Sequence, residues 1–358
     1  MKENWRVVDT GLRPAAQNVA LSRALLESRR AAESPGTLRF LRYPSSALLG
    51  ARHSAAQQFD LDYCRAQRIA VQRRIIGGAA VHTDEKQLGW ELYLHERDVG
   101  EGGAQSISRR LCHAAATALS ALGVDARYRA GGDIEVDGRR IASSGLVTDG
   151  DGVLFQGIVA VDCDLATAVR VMRFSASKPP ATALTIAQAR ETGLKALLGK
   201  APDMTLVKRC LTEAYESEFG VEFAEGDLTL SEHARYKGAL CVVDAPDWID
   251  YTARPASEMP ITEAVQPCAG GLLRATLMLE IGTQTVRQVW FTGDPVLRPA
   301  RALPDLEAAL RDIPMSRVAR RIEWFFASRP VEMPGLGPDD FIGLVRRAAG
   351  RPLLARNP

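Results

Sequence analysis

Closely spaced cysteine pairs are missing from this sequence. The six cysteines are scattered over 358 residues, and no two of them form a C-x-x-C pair. Structural zinc sites draw their thiolates from such pairs, and a reducing cytosol disfavours disulfides. We therefore expect the cysteines to be small buried side chains or surface thiols. The histidines show no H-E-x-x-H spacing, so the sequence offers no zinc-protease motif either.

Long hydrophobic runs and an excess of one charge are also missing. No stretch of about 18 apolar residues occurs, and the first residues, 1–5, lack the apolar core of a signal peptide. Lysine and arginine total 45 against 43 aspartates and glutamates, a net charge of +2, whereas a general nucleic-acid binder needs a clustered basic excess. We therefore predict a cytoplasmic protein that binds neither membranes nor nucleic acids.

The length and the hydrophobic pattern predict one large and one small domain. At 358 residues, of which 46% are hydrophobic, the chain exceeds the usual size of a single core. In residues 1–250, predicted strands outnumber crossover helices and are often joined by turns, which favours a mixed α/β fold over a doubly wound parallel sheet. Prolines between Asp244 and Pro267 indicate a linker, placed at residues 251–269. Residues 270–358 then predict a small α+β domain.

Hydrophobic periodicity places the principal elements. Helices are predicted at Pro14–Ala32, Leu61–Arg68, Ser106–Leu122, Leu165–Arg173, Leu206–Phe219, Leu303–Arg311, Pro314–Phe326 and Pro338–Ala349. Strands are predicted at Thr37–Tyr43, Ala47–Gly50, Ile69–Arg73, Gln87–Leu94, Val153–Val161, Leu272–Ile281 and Thr285–Phe291.

The segment 73–82, with the sequence R-R-I-I-G-G-A-A-V-H, joins two cations to a turn of small residues. Gly77 and Gly78 can adopt positive φ and expose backbone N–H groups with no Cβ in the way. A loop of this kind, continuing to Val81, is suited to hold a phosphate or a carboxylate. The alternative is a tight turn between two strands.

A second motif, G-D-I-E-V-D-G-R-R-I at residues 132–141, predicts a β-hairpin with a two-residue turn. Its cross-strand pairs would be Val136 with Arg139, Glu135 with Arg140, and Ile134 with Ile141. Asp133, Glu135 and Arg140 then project from one face of the hairpin. The alternative is a surface hairpin in which Glu135 and Arg140 form a cross-strand ion pair.

The order and spacing of the two motifs resemble the lipoate-protein ligase family of the biotin/lipoate ligase superfamily. The family motifs read R-R-x-S-G-G-G-A-V-x-H-D and N-D-hydrophobic-x-V-D-G-R-K-I-S-G-S. Residues 3–225 are covered, and residues 270–348 resemble a small accessory domain that some members carry. The resemblance implies a mixed-sheet biotin/lipoate ligase-like catalytic domain at residues 1–250, followed by the linker and an α+β accessory domain at residues 270–358.

The resemblance also implies an activity. A family member adenylates lipoic acid or a related medium-chain acid with ATP and Mg²⁺, then passes the acyl group to a lysine of a lipoyl-carrier protein. It implies that Asp133 places metal and phosphates, and that Arg140 stands where the family has its catalytic lysine. The positions implied to bind nucleotide and acyl group are Arg74, Gly77, Gly78, Ala79, Ala80, Val81, His82 and Lys178.

Several departures from the family pattern fall on the site. Arg140 replaces the lysine, Ala79 replaces the third glycine, and Ile76 replaces the serine before the glycines. Arginine keeps the charge but is larger and planar, so the exchange at residue 140 is not conservative. One alternative is therefore a non-catalytic paralogue that binds the acyl group, the nucleotide or the carrier.

A less favoured alternative is an octanoyltransferase that works through a cysteine thioester. No cysteine lies in the glycine loop or the hairpin to serve as its nucleophile, and we expect Cys112 and Cys163 away from the loop. Trp90 is interpreted as a core residue, with the wall of an acyl channel as the alternative. Lys178 matches a family lysine near the nucleotide but could equally be a solvated loop lysine.

Overall fold

The computed structural model describes residues 4–100, 102–173, 180–250, 259, 261–268, 271–293, 295, 297–299 and 301–350. Internal contacts divide the chain into two compact units, Met1–Ala51 with Ala55–Tyr251 and Arg52–Ser54 with Thr252–Pro358. We call them the large unit and the small unit. None of the helices in the described part of the chain is both long and apolar enough to span a bilayer.

The large unit contains the following elements. Its strands are β1 (Asn4–Leu12), β2 (Thr37–Arg42), β3 (Ser46–Leu49), β4 (Ala70–Arg73), β5 (Val81–Thr83), β6 (Gln87–His95), β7 (Arg127–Arg129), β8 (Asp133–Val136), β9 (Arg139–Asp149), β10 (Gly152–Ala160) and β11 (Glu222–Glu225). Its helices are α1 (Ala15–Arg30), α2 (Ala55–Gln58), α3 (Leu61–Ala66), α4 (Glu96–Val99), α5 (Ala104–Ser120), α6 (Leu165–Val171), α7 (Pro180–Arg190), α8 (Leu194–Leu198), α9 (Met204–Phe219), α10 (Leu230–Val243) and α11 (Pro246–Asp250).

A mixed sheet with the strand order β11-β1-β2-β6-β10-β9-β8-β7 forms the frame of the large unit. Strand β1 pairs in parallel with β11 and β2, whereas the pairs from β2 to β7 are antiparallel. A smaller sheet, β4-β3-β5, joins a parallel and an antiparallel pair. The mixed α/β fold predicted from the sequence is therefore confirmed.

Helices α5 and α9 cover one face of the main sheet, and Trp90 lies in the core beneath them. Its side chain is fully buried, and its Nε1 donates to the hydroxyl of Tyr215 at 2.9 Å. Gly157 on β10 leaves room for the ring, because a Cβ at this position would come within 2.1 Å of it. The interpretation of Trp90 as a core residue is confirmed.

The opposite face of the sheet, under α1, holds a buried ion pair. Arg39 on β2 and Glu91 on β6 are both fully buried, with 2.8 Å between guanidinium and carboxylate. Glu91 also accepts hydrogen bonds from Ser22 of α1 at 2.7 Å, from Gln156 of β10 at 2.6 Å and from the hydroxyl of Tyr93. A charge without water is tolerated only when it is paired and hydrogen-bonded in this way. The network therefore fixes α1 against three strands.

The small unit is an antiparallel sheet covered by helices. Its elements are β12 (Ile261–Cys268), β13 (Gly271–Glu280), β14 (Thr285–Gly293), α12 (Ala302–Ala309), β15 (Ile313–Pro314), α13 (Met315–Ala327) and α14 (Pro338–Ala349). The strand order is β12-β13-β14-β15. The α+β architecture predicted for this part of the chain is confirmed.

Strand β12 lies inside the segment that the sequence predicted as linker. It pairs along its whole length with β13, from Ile261 opposite Met278 to Cys268 opposite Gly271. Thr262 and Ala264 alternate inward and are buried. Pro267, which had suggested a linker, is tolerated because β12 is an edge strand and needs no ladder N–H on its open side.

Candidate functional site

A cavity of about 320 Å³ opens in the large unit between β5, β9 and β10 of the sheets and helices α6 and α7. Its walls are largely aliphatic and include Val81, Ile141, Ile158, Leu165, Val169, Met172 and Ile186. Polar side chains on its lining are His82, Gln87, Arg140, Ser143, Asp164, Arg190, Glu191 and Thr192. Both sequence motifs therefore contribute to one cavity, through His82 of the first and Arg140 of the second.

The glycine loop between β4 and β5 is braced by Arg74. Its Nη2 donates to the carbonyl oxygen of Ala79 at 2.7 Å, and the residue is 9% exposed. Gly78 has φ of +96°, whereas neither Gly77 nor Ala79 has positive φ. Alanine at position 79 is therefore compatible with the loop. Arg74 is not on the lining of this cavity, and its hydrogen bond to Ala79 positions the loop.

Ile76 connects this loop to β9. A Cβ built on Gly145 would lie 3.0 Å from Cδ1 of Ile76, so the isoleucine packs directly over the glycine. Ile76 is only 2% exposed. The replacement of the family serine by isoleucine is thus accommodated by an apolar contact between two segments that are far apart in sequence.

His82 on β5 is held on the cavity wall by Ser45, whose Oγ lies 2.9 Å from its Nε2. Burial lowers the pKa of His82, against the opposing effect of the carboxylates of Asp84 and Asp164. The imidazole is therefore neutral at pH 7 and able to accept a proton. In the resembling motif the histidine stands two positions after the valine. Here Thr83 occupies that position, and His82 follows Val81 directly.

The hairpin of β8 and β9 confirms its predicted turn. Asp137 and Gly138 have φ of +50° and +74°, as the type I′ turn requires. Val136 lies opposite Arg139 and Glu135 opposite Arg140, as predicted.

The predicted pair of Ile134 with Ile141 is wrong, because Ile134 lies opposite Ala142. The register shifts between Ile134 and Glu135, which leaves an extra residue in β9. Ile141 and Ala142 are consequently both buried although they are neighbours in a strand.

Arg140 is one of two arginines on the cavity lining, and two carboxylates flank it. Its Nη2 lies 2.5 Å from Oε1 of Glu191, and its Nη1 lies 3.5 Å from Oδ1 of Asp133. Burial favours the neutral guanidine, but Glu191 and Asp133 outweigh it and raise the pKa of Arg140. Burial raises the pKa of Asp133, and Arg140 opposes this. The alternative of a Glu135–Arg140 ion pair is wrong, because Glu135 pairs with Arg129 at 2.7 Å.

Glu191 was not recognised from the sequence, although it lies within residues 3–225, which resemble the family. It follows α7 and forms an isolated bridge with Arg140, while the N–H of Thr192 donates to the carbonyl of Arg140 at 2.9 Å. No periodicity in the sequence links these distant segments. Lys178, the remaining predicted ligand, lies outside the described residues.

Cys163 also lines the cavity, a position that the sequence did not predict. It sits in the short connection between β10 and α6, next to the helix cap Asp164. Burial raises the pKa of the Cys163 thiol, and the carboxylates of Asp162 and Glu191 raise it further. This thiol therefore stays protonated at neutral pH and is a weak nucleophile.

A group of three or more potential metal ligands does not occur among the described residues. Asp133 and Glu191 are the carboxylates at Arg140. Mg²⁺ is commonly held by one or two carboxylates together with the phosphate oxygens of a substrate. The donor set fits that arrangement and does not fit a metal site made by protein alone.

Comparison with known proteins identifies what this chain is similar to. The family model described as the lipoyl protein ligase A/B catalytic domain matches residues 14–216. The chain is 26% identical over 267 residues to octanoyltransferase LipM of Moorella thermoacetica, covering 69% of this chain and 98% of that protein. It is 31% identical over 110 residues to lipoate-protein ligase A subunit 1 of Thermoplasma acidophilum, covering 31% of this chain and 40% of that one.

Solved structures share the fold. Lipoate-protein ligase A bound with ATP superposes with a TM-score of 0.61 at 19% identity, covering 70% of this chain and 100% of that chain. LipL1 of P. falciparum in complex with lipoate gives a TM-score of 0.75 at 12% identity, covering 96% of this chain and 100% of that chain. At these identities the likeness establishes the fold alone.

The two glycines of the loop provide a matched pair for a stability test. A Cβ on Gly77 would meet nothing within 4 Å, and its φ is not positive, so Gly77→Ala should leave the melting temperature unchanged. Gly78→Ala should lower the free energy of unfolding by about 1 kcal/mol, because φ of +96° strains any L-residue. Calorimetry of both variants measures this. Equal destabilisation would contradict the described loop.

Proposed function

The chain belongs to the lipoyl protein ligase A/B catalytic-domain family, and from that premise we propose that it is an ATP-dependent lipoate-protein ligase. It adenylates lipoate or a related medium-chain acid and transfers the acyl group to a lysine of a lipoyl-carrier protein. The observation that carries the proposal is the position of Arg140. A cation held between Asp133 and Glu191 lies on the lining of a largely aliphatic cavity.

The cavity suits an acid with an apolar tail. Its volume of about 320 Å³ falls within the range of small-molecule sites, and its aliphatic walls would take the chain out of water. The carboxylate would remain near the polar lining, where Arg140 can donate two parallel hydrogen bonds to it. A carboxylate or phosphate in this place would replace Glu191 or Asp133 as the partner of Arg140.

The residues at the polar end of the cavity, around Arg140, suit a nucleotide and Mg²⁺. Bound ATP supplies the adenylyl group that activates the acid, and the charge that builds on phosphate must be met by cations and N–H donors. Arg140 and Arg190 are the arginines on the cavity lining, and the exposed Gly77 leaves the nearby glycine loop open to close approach. Asp133 and Glu191 would hold the metal together with phosphate oxygens.

His82 would act in the transfer step. The carrier lysine must lose a proton before its amine attacks the acyl carbonyl, forming the C–N bond as the C–O bond to AMP breaks. His82 is neutral because burial lowers its pKa, and it lies on the cavity wall. It can therefore accept that proton, while Ser45 fixes the ring through Nε2.

A second candidate function is octanoyl transfer through a cysteine. The presence of Cys163 on the cavity lining favours it, as do the curated relatives named octanoyltransferase LipM. The raised pKa of Cys163 argues against it, because a thioester-forming cysteine needs a stabilised thiolate. We therefore place this candidate second.

The two functions differ in their acyl donor. We expect Mg²⁺-ATP with lipoate or octanoate to increase the intact mass of a lipoyl-carrier domain and to release pyrophosphate, in wild type and in Cys163→Ser alike. An octanoyl-loaded acyl carrier protein without ATP should give no product. If product forms only from the octanoyl-loaded acyl carrier protein, and if Cys163→Ser forms no product from it, octanoyl transfer is established. No product from either donor would support a non-catalytic paralogue.

Arg140 is tested by three variants measured for adenylate formation. Arg140→Lys should preserve turnover, since lysine keeps the charge. Arg140→Ala should lower turnover by a factor on the order of a hundred, the typical cost of losing one preorganised donor. Arg139→Ala is the matched control, because this neighbouring arginine does not line the cavity. Full activity in Arg140→Ala would remove this residue from the chemistry.

His82 should give the transfer step a distinct pH dependence. Burial lowers the pKa of His82 below the usual 6.5, so the imidazole is still neutral at pH 6.5. The rate of acyl transfer should therefore begin to fall only at a pH below 6.5. Single-turnover transfer from preformed acyl-adenylate measures this. His82→Gln should slow acyl transfer and abolish the fall of the transfer rate at acidic pH, which is the acidic limb of the pH–rate profile. Adenylate formation should stay normal. An unchanged limb in His82→Gln would exclude the histidine as proton acceptor.

A further inference from the structure

Helix α7 lines the cavity with one side that changes from apolar to basic along the helix. The lining residues of this helix are Ala183, Ile186, Ala187 and Arg190. They fall at i, i+3, i+4 and i+7, which places them on one side of the helix. The three apolar residues come first, and the cation stands in the last turn. We call these four residues the α7 face.

The polar groups of the cavity gather where α7 ends. Glu191 and Thr192 follow the helix and line the cavity, and Glu191 forms a bridge with Arg140. Burial and Asp162 raise the pKa of the Cys163 thiol, and Glu191 raises it further, so the end of α7 lies near the start of α6. From that start onward, the residues with which α6 lines the cavity are apolar. The cavity therefore has a polar end at the end of α7 and an apolar body beside the rest of the α7 face.

The two arginines on the lining differ in their partners. Nη2 of Arg140 lies 2.5 Å from Glu191, and its Nη1 lies 3.5 Å from Asp133. Arg190 is exposed, and in the part of the chain that the structure describes no carboxylate forms an ion pair with its guanidinium. An anion can therefore bind Arg190 without displacing a carboxylate, whereas at Arg140 it must displace one. Before a nucleotide is bound, Arg190 is the favoured cation.

We propose that the α7 face binds the acid substrate on its own, before the nucleotide, with the carboxylate at Arg190 and the tail along the three apolar residues. This rests on the proposed function, in which the substrate is a carboxylic acid with an apolar tail. A guanidinium binds a carboxylate through two parallel hydrogen bonds, and the aliphatic wall removes the tail from water. Arg140 remains the residue that acts in adenylation.

The length of the α7 face also limits the length of the tail. A helix rises about 1.5 Å per residue, so Ala183 lies about 10 Å from Arg190 along the helix axis. An extended chain advances roughly 1.2 Å per bond, so an eight-carbon acid spans about 8 Å and a sixteen-carbon acid about 18 Å. The shorter acid fits between the two residues, and the longer one does not. Because Ala183 is buried, a larger side chain there would occupy the place of the last methylenes.

Calorimetric titration with octanoate alone, without ATP, tests the role of Arg190. Wild type should bind octanoate about tenfold more tightly than octanamide, which has the same tail and no charge. Arg190→Ala should lower the affinity for octanoate about tenfold and leave that for octanamide unchanged, whereas Arg190→Lys should keep most of the preference. Arg109→Ala is the control, an exposed helical arginine that is not on the cavity lining, and should behave as wild type. Equal loss of both ligands in Arg190→Ala would show a purely structural role and overturn the proposal.

The length of the tail is tested with a series of unbranched acids. In wild type, the affinity should rise about fourfold per methylene up to eight carbons, and hexadecanoate should bind no more tightly than octanoate. In Ala183→Leu, the ratio of the affinity for octanoate to that for hexanoate should fall. The ratio is measured within one protein, and the melting temperature checks that the variant is folded. A steady gain in wild type beyond twelve carbons would place the tail elsewhere and contradict the proposal, whether or not Ala183→Leu folds.

Binding of the acid alone separates this proposal from the proposed function. If pyrophosphate is released with ATP, but octanoate does not bind without ATP or binds Arg190→Ala as tightly as wild type, the proposal is overturned and the ligase function stands. If octanoate binds through Arg190 and no pyrophosphate is released, only the ligase function fails.

Discussion

The buried ion pair between Arg39 and Glu91 is the constraint on which the large unit depends. Two buried charges destabilise a fold unless each one is paired or hydrogen-bonded. The carboxylate of Glu91 has four such partners, which come from α1 and from three strands. A slip in the register of β2 or β6 would leave a buried charge unpaired, and a slip of β10 would remove the hydrogen bond from Gln156. The network thereby fixes β10, and with it Ile158, which is two residues from Gln156 and lines the cavity.

A second contact, between Ile76 and Gly145, packs the glycine loop against strand β9. Gly145 lies on the same strand as Arg140, and His82 and Arg140 share the lining of one cavity. Arg140 is held by carboxylates on both sides, so its charge is oriented before any ligand arrives. A ligand with a negative charge has to displace one of these carboxylates to reach the guanidinium. Ala79 and Ile76, two of the departures from the family pattern, are thus both accommodated by the structure.

Local signals in the sequence predicted the features that depend on local physics. The mixed sheet, the type I′ turn at Asp137 and Gly138 and the burial of Trp90 follow from alternation, turn chemistry and size. The features that depend on tertiary contacts were missed. The bulge at Ile141, the ion pair of Arg140 with Glu191 and the buried Arg39 require partners that no periodicity reveals. Strand β12 was missed because a proline such as Pro267 indicates a linker in the sequence. Only the structure shows that β12 pairs with β13 on one side and has an open edge on the other, where proline is tolerated.

On ligand binding, the guanidinium of Arg140 should leave its carboxylate partners, Asp133 and Glu191, and bind the ligand. The most direct measurement is the affinity for a non-reactive acyl-adenylate analogue, by calorimetry, in wild type, Arg140→Ala and Glu191→Gln. Arg140→Ala should lose affinity roughly tenfold or more, since a charge-assisted contact is removed. Glu191→Gln should bind at least as tightly as wild type, because a competitor for the guanidinium is neutralised. Equal affinity in all three proteins would contradict the account.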